Sequence, residues 1–376
     1  MQGKYGILVR AIDGEIIDRV NDFTSLRILM TLNQAGSWSI SSRTTEPCPF
    51  DTGMGIVVVR NGDFLYGGYA EKIQDTLDVE TGLYKWQVNG SGDLGYLGRR
   101  ICYVDPSTGS TTTYDHYNDS GVLSDVVMRL INRNLGQDAL EDRREPIITS
   151  VEAESVGENV SVSLRFQNLL KAVTSVCRSN GYNIRPMWEK ESSKVYYEVF
   201  TGRNLSQDII FTEYLNNIVQ SEYIAKAPEA NFVLAGGTGE MTERQFYTAM
   251  NADSVEQWGR IEVFQDARNQ HDLEDYTYET LDKKTQNLVG YSCVASDSDN
   301  APQFGVDYDL GDIISMKVGT TYIAAEVQQV EINVSNGVEA ISPKFGTIAV
   351  GQFREIFSQL SAIRDDVDEL LGTEIE

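Results

Sequence analysis

The sequence predicts an α+β chain that is mainly β, and three observations carry that expectation. Turn dipeptides suited to tight hairpins recur in the first hundred residues, helical stripes occupy the middle, and strand-like alternation returns before a heptad stripe. At 376 residues the chain is long enough for two to four domains with their own cores. Its 41% hydrophobic and 10% aromatic content places it among folded proteins rather than disordered ones.

Residues 1–105 are expected to form a first β domain. Asp13-Gly14 lies between Ile7–Ile12 and Glu15–Val20, and Asn61-Gly62 between Ile56–Arg60 and Asp63–Tyr66. Both are two-residue hairpin signals, because a type I′ turn needs positive φ at both central positions. Tyr84, Trp86 and Val88 alternate, as one buried face of a sheet requires. Short strands with Gly-rich turns predict a small barrel or sandwich.

Residues 106–215 are expected to be a compact α+β domain. The polar stretch 106–119 predicts a surface loop. Leu123, Val126, Val127, Leu130 and Ile131 fall at helical spacing, with Asp119 or Ser120 as N-cap and Gly136 at C′. Phe166, Leu169, Leu170, Val173, Val176 and Cys177 form a second stripe ending at Asn180-Gly181, and Val195–Phe200 predicts a strand.

Residues 216–350 return to β, with a helical insertion over Leu273–Gln286. Asn336-Gly337 predicts a third hairpin between Glu326–Val334 and Val338–Ile341. In 351–376, Phe353, Ile356, Leu360, Ile363, Val367 and Leu370 fall at spacings 3-4-3-4-3, an a/d seam on a C-terminal helix. A weak repeat is also visible: Gly62–Ile73 overlays Gly319–Val330 without a gap, matching the Gly, two large apolar positions, a small pair and the closing aliphatic.

Charge excludes several functions. Lys and Arg total 31 against 56 Asp and Glu, a net charge of −25. Tight nucleic-acid binding needs a cation per phosphate contact, and anionic lipid is equally disfavoured. The apolar run Ile56–Val59 is far below the ~20 residues a spanning helix needs, so a soluble chain made in a cytoplasm is expected. Cys48, Cys102, Cys177 and Cys293 form no C-x-x-C pair and are expected as small buried hydrophobes.

No motif carries an enzyme. Gly90-Ser-Gly92-Asp-Leu-Gly95 matches G-x-G-x-x-G, but extended sequence follows where a phosphate-binding helix should open. Gly236-Gly-Thr-Gly239 continues with Glu240-Met241 rather than Gly-Lys-Ser/Thr. His116 and His271 lack an H-x-x-x-H partner, and Asp365-Asp366 is one acidic pair among many. No cofactor or metal is predicted; in Asp307–Ile314 the acids are expected to be structural, without an EF-hand loop.

Several stretches in order resemble a known family. They are Val57–Tyr66, Trp86–Leu94, Leu97–Ile101, Phe166–Leu170, Tyr197–Arg203, Ile210–Ile218, Ala235–Gly239, Arg260–Ala267 and Gly305–Ile314. Together they resemble the tail-associated (Tal-type) baseplate hub proteins at the tail tip of long-tailed bacteriophages. The resemblance implies two tail-tube-like β-barrels per chain, at 1–105 and 216–350, with the α+β domain between them. It implies a homotrimer whose six barrels adapt a sixfold tube to a threefold tip. It also implies partners: a distal tail protein, a tape measure protein, receptor-binding or fibre proteins, and duplex DNA in passage without specific binding. The place would be the virion tail tip, assembled in the host cytoplasm, without stable membrane insertion. Longer relatives carry enzymatic extensions; this sequence continues only into the heptad segment, so a non-enzyme is expected. The rival expectation is an envelope-degrading glycosidase or peptidase of the tail tip.

Overall fold

The computed structural model describes residues 4–151, 153–268, 272–285, 288–295, 301–318, 321–335 and 337–347. Strand outweighs helix, 44% to 18%, so the mainly β class holds. The chain forms two compact units, Met1–Ser221 with Ser292–Lys344, and Glu222–Tyr291 with Phe345–Glu376.

The first unit opens with the hairpin β1 (Tyr5–Arg10) and β2 (Ile16–Val20). Its connection is longer than the two residues expected: the Ala11 amide donates to the Glu15 carbonyl at 2.8 Å, and Gly14 adopts φ +101°. β3 (Ser25–Thr31), β4 (Ser37–Thr44), β5 (Gly55–Arg60), β6 (Asp63–Asp78) and β7 (Leu83–Gly92) follow. Asn61 and Gly62 take φ +55° and +100° between paired Arg60 and Asp63, the I′ turn expected there. Trp86 and Val88 on β7 and Trp38 and Ile40 on β4 are buried on one face, which is why those strands alternate.

A short turn, α1 (Gly95–Gly98), leads to β8 (Tyr117–Val122), α2 (Leu123–Asn134), β9 (Asn159–Leu164), α3 (Leu169–Ser179) and the ribbon β10 (Asn183–Glu189) with β11 (Lys194–Phe200). The two helical stripes bury Leu123, Val126, Val127, Leu130 and Ile131 against Leu169, Val173 and Cys177 in one core. The expected N-cap of α2 is wrong. Asp119 and Ser120 lie inside β8, and the free amides of Leu123 and Ser124 donate instead to the carbonyls of Glu158 and Val156, both at 3.0 Å. Asp119 grips Arg129 at 2.8 Å. α3 is capped by Asn168, which accepts from the Lys171 amide, while Phe166 stands ahead of the helix at φ +52°.

After β12 (Ile210–Phe211) the chain leaves the first unit within β13 (Ile218–Lys226). The second unit holds β14 (Phe232–Gly236), β15 (Phe246–Met250), α4 (Ala252–Trp258), β16 (Glu262–Asp266) and α5 (Leu273–Thr285). β14 pairs antiparallel with β15 and parallel with β16, over a small core of Val233, Ala249 and Leu281. β17 (Leu288–Ala295) brings the chain back to β18 (Ile313–Val318), β19 (Thr321–Ser335) and β20 (Val338–Thr347).

The large sheet has the order β13-β17-β20-β19-β3-β4-β7-β6-β5-β1-β2, with β18 also on β19 and β12 on β18. Among the described residues this order does not close on itself. Its middle joint is antiparallel β19–β3, from Gln329↔Thr31 to Ser335↔Ser25.

Candidate assembly surface

The weak sequence repeat is a structural one. Strands β5, β6 and β7 have 6, 16 and 10 residues; β18, β19 and β20 have 6, 15 and 10. The local order β3-β4-β7-β6-β5 is matched by β13-β17-β20-β19-β18. Register agrees as well: Tyr66 and Gly68 face Val58 and Ile56, while Ile323 and Ala325 face Met316 and Ile314. Even a bulge recurs. The Ala70 amide donates to the Met54 carbonyl at 2.9 Å, and its counterpart Val327 donates to Asp312 at 2.8 Å. Directly beyond each point the strand changes its hydrogen-bonding phase, between Ala70 and Lys72 in β6 and at Gln328, whose carbonyl accepts from Leu32, in β19.

The distal halves differ. On β19, Val330, Ile332 and Val334 are buried, and Glu331 pairs with Arg27 of β3 at 2.8 Å and with Lys344 at 3.6 Å. Burial raises the Glu331 carboxyl, but the two cations outweigh it and hold the group below its ordinary range. On β6, Lys72–Asp78 pairs with β7 alone among the described residues, and Leu77 is 46% exposed.

Each half of the sheet is anchored differently at its end. In the first, the Arg10 guanidinium forms a buried fork with Asp93, the side chains 1% and 0% exposed. Gly55 and Gly67 make room for it, since a Cβ on Gly55 would meet the Arg10 Nε at 2.8 Å and one on Gly67 would meet the Asp93 carboxylate. A Cβ on Gly90, Gly92 or Gly95 would meet the Tyr69 carbonyl at 2.0 Å, the Ala35 carbonyl at 2.0 Å or the Tyr69 hydroxyl at 2.4 Å. The G-x-G-x-x-G stretch is thus a packing device, with no helix of useful length behind it. In the second half, Tyr308 is enclosed edge-on by Phe211 and Phe304, at 5.6 and 5.7 Å between ring centres. The neighbouring acids are engaged: Asp312 accepts from Arg203 at 2.6 Å and from the Asp309 amide at 2.9 Å, and Asp307 accepts from the Gln303 amide at 2.7 Å.

Glu339 of β20 accepts from Tyr5 of β1, Arg60 of β5 and Lys4. Burial raises its carboxyl, yet these donors hold it below the ordinary carboxylate range, while burial and Glu339 push the Tyr5 phenol up. In the second unit, Arg244 closes the Gly236–Gly239 turn by donating to the Gly236 carbonyl at 2.8 Å and to Asp266 at 2.8 Å. His116 is exposed, and His271 lies outside the described residues. Cys102, Cys177 and Cys293 are buried, and burial pushes the thiols of Cys102 and Cys177 up to about 12; Cys48 is half-buried. The seam residues Phe353, Ile356, Leu360, Ile363, Val367 and Leu370 lie outside the described residues. Sequence reasoning missed Arg10–Asp93, the Glu339 cluster and the β19–β3 joint; the alternation Leu26, Ile28, Met30 was the one local signal for β3.

The fold is that of phage tail proteins. The 43 kDa tail protein of prophage MuSo2 from Shewanella oneidensis superposes with a TM-score of 0.56 at 8% identity, over 91% of this chain and 96% of that one. The tail protein of Neisseria meningitidis MC58 gives 0.52 at 11% identity, again over 91% and 96%. The chain belongs to the family described as Siphovirus ReqiPepy6 Gp37-like protein, which matches residues 7–347 and agrees with the phage-tail resemblance in the sequence. No curated protein matches.

Proposed function

We propose that the chain is a structural hub of the siphovirus tail tip, acting through assembly and not through bond chemistry. The duplicated five-strand arrangement is the observation that carries this reading. Two like β units per chain, one in 1–105 and one in 216–350, let three copies present six similar faces to a sixfold tube while keeping threefold symmetry below it. The intervening 106–215 domain braces the first unit, and the 351–376 seam adds to the trimer contact. The trimer closes the tube, gates DNA passage, and meets distal tail, tape measure and receptor-binding or fibre proteins. The net charge of −25 per chain suits a bore that repels a phosphate backbone rather than binding it. Among the described residues no helix is long and apolar enough to cross a membrane.

The test is the native mass with negative-stain imaging. A particle of about 126 kDa, three times 41.9 kDa, with a threefold ring and a central hole is expected. A monomer at assembly concentrations ends the reading.

A further inference from the structure

We infer that the open edge of β6 at Lys72–Asp78 receives β13 of a second copy of this chain, antiparallel, in the place that β3 occupies on β19. The inference deepens the hub reading and takes from it only the number of copies in the ring.

Equivalence of position is the first argument. β6 corresponds to β19 in length, register and bulge, and β13 corresponds to β3 in the order of the sheet. Within one chain the sequence of joints runs from one five-strand unit to the next through β19–β3. Among the described residues its two ends are then a β6 edge with no counterpart of β3 beside it, and a β13 edge with no counterpart of β19 beyond it. Joining them repeats an existing contact instead of inventing one. The contact is head-to-tail, and such contacts close into rings when the rotation allows.

Hydrogen-bond phase is the second argument. In β19 the Leu32 amide reaches the Gln328 carbonyl, so residues 328, 330, 332 and 334 turn their backbone groups toward β3. In β6 the Ala70 bond to Met54 and the shift after it turn the backbone groups of Ile73, Asp75 and Leu77 outward, while Lys72, Gln74 and Thr76 bond β7. These outward residues match Val330, Ile332 and Val334 in the Gly62–Gly319 overlay. The free edge is already set in the phase that the covered one uses.

Exposure is the third. An unpaired edge of seven residues is an aggregation template unless blunted, and this one has no proline and carries Lys72, Asp75 and Asp78 beside the apolar Ile73 and Leu77. Leu77 is 46% exposed and Val79, in the adjoining turn, 85%. On β13, Val219 is 75% exposed, and β17 is the strand's one ladder neighbour among the described residues.

Leu77→Pro removes one outward amide without touching the ladder to β7. The inference expects wild-type chain to sediment as an oligomer and Leu77→Pro to sediment as a folded monomer at the same micromolar concentration. An oligomeric wild type beside an equally oligomeric, folded Leu77→Pro overturns the inference and leaves the hub reading standing. A monomeric wild type overturns both. Should the variant fail to fold, hydrogen exchange on wild-type chain decides. The amides of Ile73, Asp75 and Leu77 are expected to exchange about 100-fold more slowly in the oligomer than in the diluted monomer. Equal rates in the two states overturn the pairing.

Discussion

β6 and β19 share bulge and register through their first halves, yet Gln329–Ser335 lies beside β3 while Lys72–Asp78 has no strand on that side among the described residues. Their side chains follow the neighbour. The covered strand carries Val330, Ile332 and Val334 where the open one carries Ile73, Asp75 and Leu77, and it carries Glu331, ion-paired diagonally with Arg27, where the open one has Gln74. Local sequence therefore builds the strand and its bend, while the strand that arrives beside it decides how much of it becomes core. The same contrast holds at the ends of the two halves, one locked by a buried ion pair and the other by three rings.

The largest expected effect breaks that second contrast. Arg10→Met leaves Asp93 buried and uncompensated and should destabilise the first unit by about 3–5 kcal/mol in urea unfolding. Arg10→Met with Asp93→Leu should recover most of that loss, because an apolar pair replaces both charges. A double variant as unstable as the single one would mean that the glycine-lined space accepts only the fork.

Turn glycines sharpen the comparison of the two long strands. Gly82 and Gly337 precede β7 and β20 at φ +68° and +79°, and a Cβ on either would meet nothing within 4 Å. Only backbone strain is at stake, so Gly82→Ala and Gly337→Ala should each cost about 1–2 kcal/mol by thermal melting. Clearly unequal losses would show that the two hairpins are not the same device.

Acid acts on the covered edge through Glu331, and the effect is the smallest. The Glu331 carboxyl sits below its ordinary value of 4.5 in the fold, so its contribution is complete above that pH. The contribution is lost as pH falls below 4.5 through the lower folded value. Glu331→Gln should flatten the acid limb of the stability profile, whereas Gln74→Ala on the open strand should leave its slope alone. An unchanged limb in Glu331→Gln would remove Glu331 from the account.

Features set by neighbours in sequence were legible. Asn61-Gly62, the Leu123–Ile131 stripe and the helix at Leu273 all stand where local turn chemistry or periodicity puts them. Features set by distant partners were not. Asp119 looks like a cap until β9 arrives beside it, and Arg10 and Asp93, 83 residues apart, give no local sign of meeting. The repeat was visible because twelve consecutive positions carry it, but which copy would be covered is a matter of topology.

The β19–β3 ladder also sets a clock on synthesis. Its partners, 25–31 and 329–335, are about 300 residues apart, so β3 leaves the ribosome long before β19 exists. At ~5–20 residues per second the wait is roughly 15–60 s, far longer than the microseconds to milliseconds of local strand and helix formation. Through that interval the nascent first unit shows a bare edge on β3 as well as the one on β6. On a polysome, where many copies are at this stage together, the emergence of β19 decides between a finished sheet and a mispaired one.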